Sequence, residues 1–373
     1  MTTITPTPAA PLSFQNQQAL VVGGAGFVGS NLVRQLLGAG AAGVTVVDNL
    51  LSAEKSNLPD DSRVRFIHGS IVDDVVLREL KDEFDFVFHL ATFHGNQNSM
   101  HDPLADHQNN TLTTLKLYER IKGFQRLKKV VYSSAGCTVA EKTFDEADAT
   151  TEDSPVSLYL DSPYQMSKIF GEFYSNYYWQ RHKLPVVKAR FQNVYGPGEV
   201  LGAGDWRGTA ATVWRNVTPT FVYRAIKHLP LTVENGGIAT RDMIYAEDTA
   251  RGLMACATSG TPGGIYNVAS GVETSILELA ETINRLTENP TPIDFRPARS
   301  WDRSGKRYGS PAKAEKELGF RCQVDLEEGL KRTIAWTRSH LTRIESCIAR
   351  HLHKMPETDE LHRLFGNEKR GAA

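Results

Sequence analysis

The sequence predicts an α/β fold, a doubly wound parallel sheet covered by helices on both faces, and three observations support this. From Ala19 the chain runs apolar segment, glycine turn, amphipathic helix, apolar segment: ALVVGGAGFVGSNLVRQLLGAG and then VTVVDNL. This order is typical of a strand, helix, strand unit. Further apolar runs, VRFIHGS, FDFVFHLA, KKVVYSS and PVVKARF, alternate with amphipathic stretches, as parallel strands buried on both faces do. The length of 373 residues suits one large or two moderate domains.

The amino-acid composition of the chain changes after Gly196, and this change predicts a second and smaller unit. The segment PGEVLGAGDWRGTAATVWRN is rich in glycine and aromatic residues, and short strand-like and helix-like runs follow it. We predict a loose leader over 1–16, the doubly wound domain over 17–195, and an irregular α/β portion over 196–338 that binds substrate. Some segments of that portion return to the first domain, and a charged helical tail covers 339–373.

The composition excludes several classes of partner. The formal net charge of −1 gives no overall field for nucleic acid or an anionic membrane, so we expect a small-molecule partner. The four cysteines, Cys137, Cys256, Cys322 and Cys347, lie far apart without a C-x-x-C pair. Neither a metal site nor a disulfide framework is predicted, and a reducing cytoplasm fits best. The sequence contains no run of about 18 apolar residues, so it predicts no membrane span.

The glycine turn predicts a dinucleotide site, and so a Rossmann-type sheet. Gly23, Gly26 and Gly29 form G-x-x-G-x-x-G between the first strand and a helix that includes Phe27 and Val28. Glycines allow a tight turn and close backbone approach to a pyrophosphate, and the helix N-terminus supplies free N–H groups.

The second strand ends in Asp48 and Asn49, about 20 residues further along. A carboxylate at this place accepts hydrogen bonds from a ribose diol and repels a 2′-phosphate, which favours NAD over NADP. Later strand ends and the polar segment HQNNTLTT add candidate cofactor contacts, although ordinary turn chemistry would explain them equally well. These candidates are Asp73, Leu90, Ala91, Asn110 and Ser133.

Tyr164 and Lys168, in SPYQMSKIFGEFYSNYY, predict a catalytic base. Residues four apart lie on one face of a helix and can reach each other. A phenol is a poor base at neutral pH because its ordinary pKa is about 10, but an adjacent ammonium favours the phenolate. Tyr164 could then take a proton from a substrate hydroxyl.

Together with the glycine turn and Asp48, this pair resembles the extended short-chain dehydrogenase/reductase family, specifically its nucleotide-sugar epimerases and dehydratases. The resemblance spans about residues 17 to 338 and includes RFQNVYGPG, TRDMIYAEDTARG and PARSWD. It implies contacts to a nucleotide diphosphate and ribose from Asn193, Arg241, Arg299 and Asp302. Arginine forks suit a nucleoside diphosphate on physical grounds as well.

The sequence departs from this family after the strand KKVVYSS. The third catalytic group is usually a Ser or Thr, but the common form of the motif places Ala135 there. Either the register slips by one and Ser134 takes the role, which we favour, or Thr138 or a substrate group replaces it. The family's 4,6-dehydratases carry an Asp-Glu pair directly after that hydroxyl. Because Ala135 and Gly136 cannot transfer protons, a 4,6-dehydratase is disfavoured.

Cys137 supports a competing interpretation. In the same register it matches the acid/base cysteine of GDP-mannose 3,5-epimerases, and the loop of Trp206, Arg207 and Gly208 resembles theirs. Arg207 could then face the cysteine across a sugar ring, although arginine is a weak acid. Cys137 could equally be a small buried residue.

His94, in ATFHGNQNS, follows a strand end, where a substrate contact or a solvated turn are both plausible. The resemblance as a whole implies an NAD-dependent epimerase that converts a UDP-sugar at C4 through a keto-sugar, acting as a homodimer. The alternatives are a 3,5-epimerase or related keto-sugar enzyme, a dehydratase or decarboxylase, and a non-catalytic dinucleotide-binding protein.

Overall fold

The computed structural model describes residues 12–136, 143–299 and 305–355 of the chain. The strands are Gln18–Val22 (β1), Gly43–Asp48 (β2), Val64–His68 (β3), Phe86–His89 (β4), Lys129–Ala135 (β5), Val186–Phe191 (β6), Asn193–Tyr195 (β7), Thr232–Glu234 (β8), Thr240–Tyr245 (β9), Ile265–Val268 (β10), Glu273–Ser275 (β11) and Asp294–Arg296 (β12). The helices are Phe27–Gly38 (α1), Asp74–Glu79 (α2), Asn96–His101 (α3), Pro103–Asp106 (α4), Thr113–Ile121 (α5), Pro163–His182 (α6), Val217–Ile226 (α7), Ala246–Ser259 (α8), Ile276–Thr287 (α9), Ala312–Leu318 (α10), Leu326–Ser339 (α11) and Leu341–Ala349 (α12). A π-helical segment, His107–Leu112, joins α4 to α5.

The main sheet has seven parallel strands in the order β10-β6-β5-β4-β1-β2-β3. The order reverses between β1 and β4, because the chain builds outward in one direction from β1 and then returns to build in the other. A sheet of this kind opens a crevice at the carboxyl ends of its strands, where the order reverses. The predicted α/β doubly wound fold is confirmed.

Two hydrophobic layers enclose the sheet, because successive strand residues face opposite sides. Val21 packs with α1 and α8 on one face, where Leu253 is fully buried. Its neighbour Val22 packs with α5 and α6 on the other face, where Tyr178 is buried. Both layers are needed because every strand of a parallel sheet has to be covered on both sides.

A smaller unit lies beyond the carboxyl ends of the main strands. Its strands form a three-stranded sheet, β11-β9-β7, and a parallel pair, β12-β8. Helices α7, α9 and α11 pack against them through Phe221, Leu279 and Leu330. Strand β10 belongs to the main sheet although it follows β9, so the chain crosses from the smaller unit back to the larger one.

The last described helix, α12, packs against the segment that follows β7. Ile344 and Ile348 are buried against Val200 and Leu201. The chain can pass this closely because Gly202 has no side chain: a Cβ there would lie 2.8 Å from the backbone of α12.

No helix within residues 12–136, 143–299 and 305–355 is long and apolar enough to cross a membrane. The same ranges contain no cluster of three or more side chains suited to hold a metal ion. Their three cysteines, Cys256, Cys322 and Cys347, are free thiols.

Candidate active site

A cavity of about 800 Å³ opens at the carboxyl edge of the main sheet and extends to the smaller unit. Its walls come from the β1–α1 turn, the ends of β2, β4 and β5, helix α6, and segments between residues 191 and 307. Among the described residues, seven basic and three acidic side chains line it. This excess of positive charge suits an anionic ligand.

The glycine turn between β1 and α1 forms one end of the cavity. Gly23 has a φ of +85°, and a Cβ there would lie 2.5 Å from the backbone nitrogen of Ala91. A Cβ on Gly29 would lie 2.2 Å from the carbonyl oxygen of Gly23. The N-cap of α1 is Gly26, which has no side chain to cap the helix. The N–H groups of the first helical turn are therefore available to bind a diphosphate at this end of the cavity.

Asp48 lies beside this turn at the end of β2. Its carboxylate accepts hydrogen bonds from the backbone N–H of Ala25 at 3.0 Å and of Leu50 at 2.8 Å. Burial raises the pKa of Asp48, and these N–H donors oppose that rise. A carboxylate has about four acceptor positions, so two remain for a ribose diol, and the turn and Asp48 together fit NAD.

Helix α6 places Tyr164 and Lys168 on the cavity wall. Ser162 caps the helix by accepting a hydrogen bond from the N–H of Gln165. The Lys168 ammonium donates to the Ser133 carbonyl oxygen at 3.0 Å and lies 5.8 Å from the centre of the Tyr164 ring. The pair is therefore assembled, with the cation fixed by the end of β5.

Ser134 does not lie in the cavity, contrary to our expectation for the third catalytic group. Ser133 and Ala135 line the cavity, and the two-residue period of a strand sends Ser134 to the opposite face. Its hydroxyl donates to Glu172 at 2.5 Å, and Glu172 also forms a buried ion pair with Arg190 at 2.8 Å. The cavity face of β5 thus presents Ala135 where a hydroxyl was expected.

His94 lies edge-on to Tyr164, with 5.7 Å between ring centres. Enclosure by the protein, the largest cause, and the charges of Arg215, Arg207 and Lys168 together lower the pKa of His94 to about 3. The imidazole is neutral at neutral pH and offers one donor and one acceptor to a molecule in the cavity.

Most of the predicted site residues are brought together. The following line the cavity: Gly23, Gly26, Phe27, Val28, Gly29, Asp48, Asn49, Leu90, Ala91, His94, Ser133, Tyr164, Lys168, Asn193, Arg241 and Arg299. Four others are described but do not line it: Asp73, Asn110, Ser134 and Arg207. Cys137, Thr138 and Asp302 lie outside the described residues.

Asp73 and Asn110, which were predicted to contact the cofactor, lie outside the cavity wall. Asp73 lies at the N-terminus of α2, two residues beyond Ile71, where the cavity wall ends. The buried amide oxygen of Asn110 accepts hydrogen bonds from the N–H of Phe93 at 2.6 Å and the hydroxyl of Thr92 at 3.0 Å. Asn110 therefore holds the loop after β4 rather than facing a cofactor.

The far end of the cavity carries the arginines that the sequence assigned to a diphosphate. Arg241 donates to the carbonyl oxygen of Gly305 at 2.9 Å, and Arg299 pairs with Glu234 at 2.5 Å. Each lines the cavity, so both are placed to meet a ligand anion.

The charged residues of the cavity wall that the sequence did not single out include Glu199, Arg215 and Arg307. Burial raises the pKa of Glu199 to about 7. Arg215 donates from its two terminal nitrogens to the carbonyl oxygens of Ser52 at 2.9 Å and Ala203 at 2.8 Å. Arg215 belongs to the glycine- and aromatic-rich segment after Gly196, in which the sequence indicated Arg207 instead, and no local pattern distinguished Arg215.

The fold and the site define a dinucleotide-dependent enzyme with a tyrosine–lysine pair. Residues 19–269 match the sequence model of the NAD dependent epimerase/dehydratase family, and the chain belongs to that family. It is an enzyme of the extended short-chain dehydrogenase/reductase type, and its cofactor is NAD.

Relatives in the family include both epimerases and dehydratases. The UDP-glucose 4-epimerase of Mycolicibacterium smegmatis is 33% identical over 86% of this chain and 99% of its own. The human dTDP-D-glucose 4,6-dehydratase is 27% identical over 87% of this chain and 91% of its own. The crystal structure of the Bordetella bronchiseptica enzyme WbmF in complex with NAD+ and UDP is 61% identical, covers 92% of this chain and 98% of its own, and has a TM-score of 0.83.

Gly29→Ala should weaken NAD binding by at least about tenfold, because the added Cβ would force the turn away from the close approach that a pyrophosphate needs. Isothermal titration calorimetry with NAD measures this. Gly38→Ala, at the other end of α1 with open space around it, is the matched control and should bind NAD normally. Unchanged affinity in the Gly29 variant would contradict the assignment of the turn to the cofactor.

Proposed function

We propose that this protein is an NAD-dependent epimerase that inverts C4 of a UDP-linked sugar. The observation that carries the proposal is the Tyr164/Lys168 pair, in which the Lys168 ammonium lies 5.8 Å from the centre of the Tyr164 ring. The pair shares one cavity with the dinucleotide turn and with the arginines at the far end. Similarity to a UDP-glucose 4-epimerase and to an enzyme crystallised with NAD+ and UDP supports the choice of nucleotide.

The residues divide the chemistry as follows. Bound NAD supplies the acceptor and later the donor of a hydride at the sugar carbon. Tyr164 removes the proton of the C4 hydroxyl as oxidation occurs, and returns it when the keto-sugar, turned over in the cavity, is reduced from its other face. Lys168 favours the phenolate and is placed to hold the nicotinamide ribose. Asn193, Arg241 and Arg299 hold the nucleotide diphosphate, which frees the sugar to turn.

The residues at the end of β5, beside Tyr164, argue against a 4,6-dehydratase. Elimination of water needs an acid and a base beside the reacting carbons. The described part of the wall next to Tyr164 offers Ala135 and then Gly136 at these positions, and neither can transfer a proton.

A 3,5-epimerase is the second candidate, because Ala135 leaves the cavity face of β5 without the expected hydroxyl. The chemistry there could depend instead on Cys137, which lies outside the described residues, together with Arg207. Arg207 is buried and its charge acts on His94, so it is close to the catalytic tyrosine.

We also propose a homodimer that forms through α6. Four large apolar side chains, Met166, Phe170, Phe173 and Tyr177, are between 42% and 57% exposed on this helix. Their spacing of three to four residues places them on one face. An exposed apolar stripe of this length is typical of a protein–protein contact, and a second copy of the chain supplies the same stripe in a two-fold arrangement.

Tyr164→Phe should lower turnover of the UDP-sugar by about 10²–10⁴-fold, because the general base is lost, while NAD still binds. The turnover is measured by product formation, and the transient absorbance near about 340 nm reports the oxidised sugar state. Wild-type protein that shows no such transient with any nucleotide sugar would reject hydride transfer. Turnover retained in the variant would reject Tyr164 as the base.

Turnover in D₂O separates the two candidate reactions. A 4-epimerase returns the hydrogen of C4 internally, so the product should contain no carbon-bound deuterium by mass spectrometry. Epimerisation at C3 and C5 exchanges carbon-bound protons with the solvent. Deuterium at those carbons would therefore replace the first candidate by the second.

The double variant Phe170→Lys/Phe173→Lys should be monomeric, because two buried ammonium groups would face their copies across the dimer contact. Size-exclusion chromatography with light scattering gives the mass. Val75→Lys changes an apolar residue that is 64% exposed on α2 and should leave the dimer intact. A monomeric wild type, or a dimeric double variant, would contradict the proposed contact.

A further inference from the structure

The corner of the cavity beside His94 has one buried guanidinium group in its wall, Arg215, and a second, Arg207, whose charge also acts on His94 from outside the wall. The proposed reaction has no stated use for either. Arg215 lines this corner, and its terminal nitrogens are fixed by the backbone oxygens of Ser52 and Ala203. Its Nε is buried and has no hydrogen-bond partner among the described residues. Arg215 therefore presents a positive charge that the protein itself holds in place.

Arg207 does not line the cavity, but it is a second guanidinium whose charge acts on His94. The residue is 5% exposed, and within the described residues its side chain makes one long hydrogen bond, of 3.4 Å from Nη2 to the carbonyl oxygen of Thr212. Its Nε and Nη1 are buried and have no partner within the described part of the chain. Leaving buried donors of a charged group unsatisfied is costly, so this arrangement indicates that another group completes it.

Few negative charges balance this pair. Burial, the largest cause, and the charge of Arg215 together lower the pKa of Arg207 to about 9, while Asp205 opposes the change. The side chain of Asp205 belongs to an exposed residue. Glu199 is buried with one oxygen unpartnered, and its pKa of about 7 leaves it partly neutral. The corner thus keeps a net positive charge.

The corner borders the sugar rather than the diphosphate. His94, on which the charges of Arg215 and Arg207 act, lies against the ring of Tyr164. Arg307, by contrast, belongs to the diphosphate end. Its backbone N–H donates to the Thr240 hydroxyl at 3.0 Å, and the neighbouring Arg241 donates to the Thr240 carbonyl oxygen.

We propose that the sugar of the substrate carries a carboxylate, as in a hexuronic acid, and that Arg215 receives it in the cavity wall, with the nearby charge of Arg207 adding to the attraction. The inference rests on the proposed function. In a hexuronate, C6 is bonded to C5, the neighbour of C4, so the carboxylate lies close to the atom on which Tyr164 acts. A carboxylate matches the fork of donors on a guanidinium group. The hydroxymethyl group of a neutral hexose would leave the buried donors and their charge unbalanced.

Binding to the NAD-loaded enzyme tests this directly. We expect UDP-glucuronate or UDP-galacturonate to bind about 10- to 100-fold more tightly than UDP-glucose and UDP-galactose, as for hydrogen bonds to charged groups. Isothermal titration calorimetry measures each affinity, with UDP-N-acetylglucosamine as a neutral sugar that offers a carbonyl oxygen.

Two variants locate the effect. Arg215→Met should remove most of the preference for the acid, and Arg215→Lys should keep part of it. Arg307→Met is the matched control, since it should weaken the binding of acidic and neutral sugars by the same factor. NAD affinity and thermal unfolding show whether each variant is folded. If a variant does not fold, the preference of the wild type for the acidic sugars still decides the proposal.

Equal affinities of the wild type for acidic and neutral sugars would overturn the proposal, as would equally tight binding of the N-acetyl sugar. Loss of the preference in the Arg307 variant, with none in the Arg215 variant, would overturn the assignment to the corner. The proposed function fails separately: preferential binding of the acids without any transient absorbance would reject hydride transfer and leave the carboxylate site standing. Turnover without a preference for the acidic sugars would support hydride transfer and reject the carboxylate site.

Discussion

The close approach of the β1–α1 turn to the loop after β4 is the constraint on which the rest of the site depends. The order of strands reverses between β1 and β4, so the backbones that leave these strands meet at the crevice. A Cβ on Gly23 would lie 2.5 Å from the Ala91 nitrogen, which means that the two segments touch backbone to backbone. This contact places the open N-terminus of α1 at the end of the cavity.

The catalytic pair is positioned by a junction between α6 and β5 that uses both faces of the strand. On the cavity face, Lys168 donates to the carbonyl oxygen of Ser133. Four residues further along α6, Glu172 accepts from Ser134, which lies on the other face. Between them, Gly171 lets the helix approach closely, since a Cβ there would lie 1.9 Å from the Tyr132 hydroxyl oxygen. Because the contacts alternate, a shift of the helix along the strand would break all of them together.

The parts of the site that the sequence predicted are those whose signals are local. The glycine turn, Asp48 and the Tyr164/Lys168 pair each consist of a few residues beside a strand or on one helix, so that strand ends and helical spacing determine their positions. Most of the doubly wound sheet was predictable for the same reason, from apolar runs and the turns between them. The strand period also argues against Ser134 on the cavity face, because Ser133, Ser134 and Ala135 have to alternate between the two sides. The family motif, which places Ala135 at this position, agrees with the structure, and the one-residue slip to Ser134 does not.

The buried arginines could not be predicted, because their burial results from contacts between distant segments. An arginine in a glycine-rich stretch is ordinarily solvated, and nothing in the neighbourhood of Arg215 indicates otherwise. Asn110 shows the converse: a polar residue near a predicted site was a plausible cofactor contact, yet it holds the loop after β4. Which polar groups a loop satisfies internally depends on its packing, which is not encoded within a few residues.

The C-terminal segment fixes the wall that carries Arg215 before any ligand arrives. His351 forms a hydrogen bond of 3.0 Å with the carbonyl oxygen of Gly202, and Arg343 donates to Asn57 at 2.6 Å. The tail thereby joins the segment after β7 to the loop after β2, the same two segments that Arg215 bridges from inside the cavity. A guanidinium held by two fixed carbonyl oxygens loses little conformational entropy when an anion binds. This wall therefore favours an anionic group that has one defined position in the ligand over a flexible or neutral group.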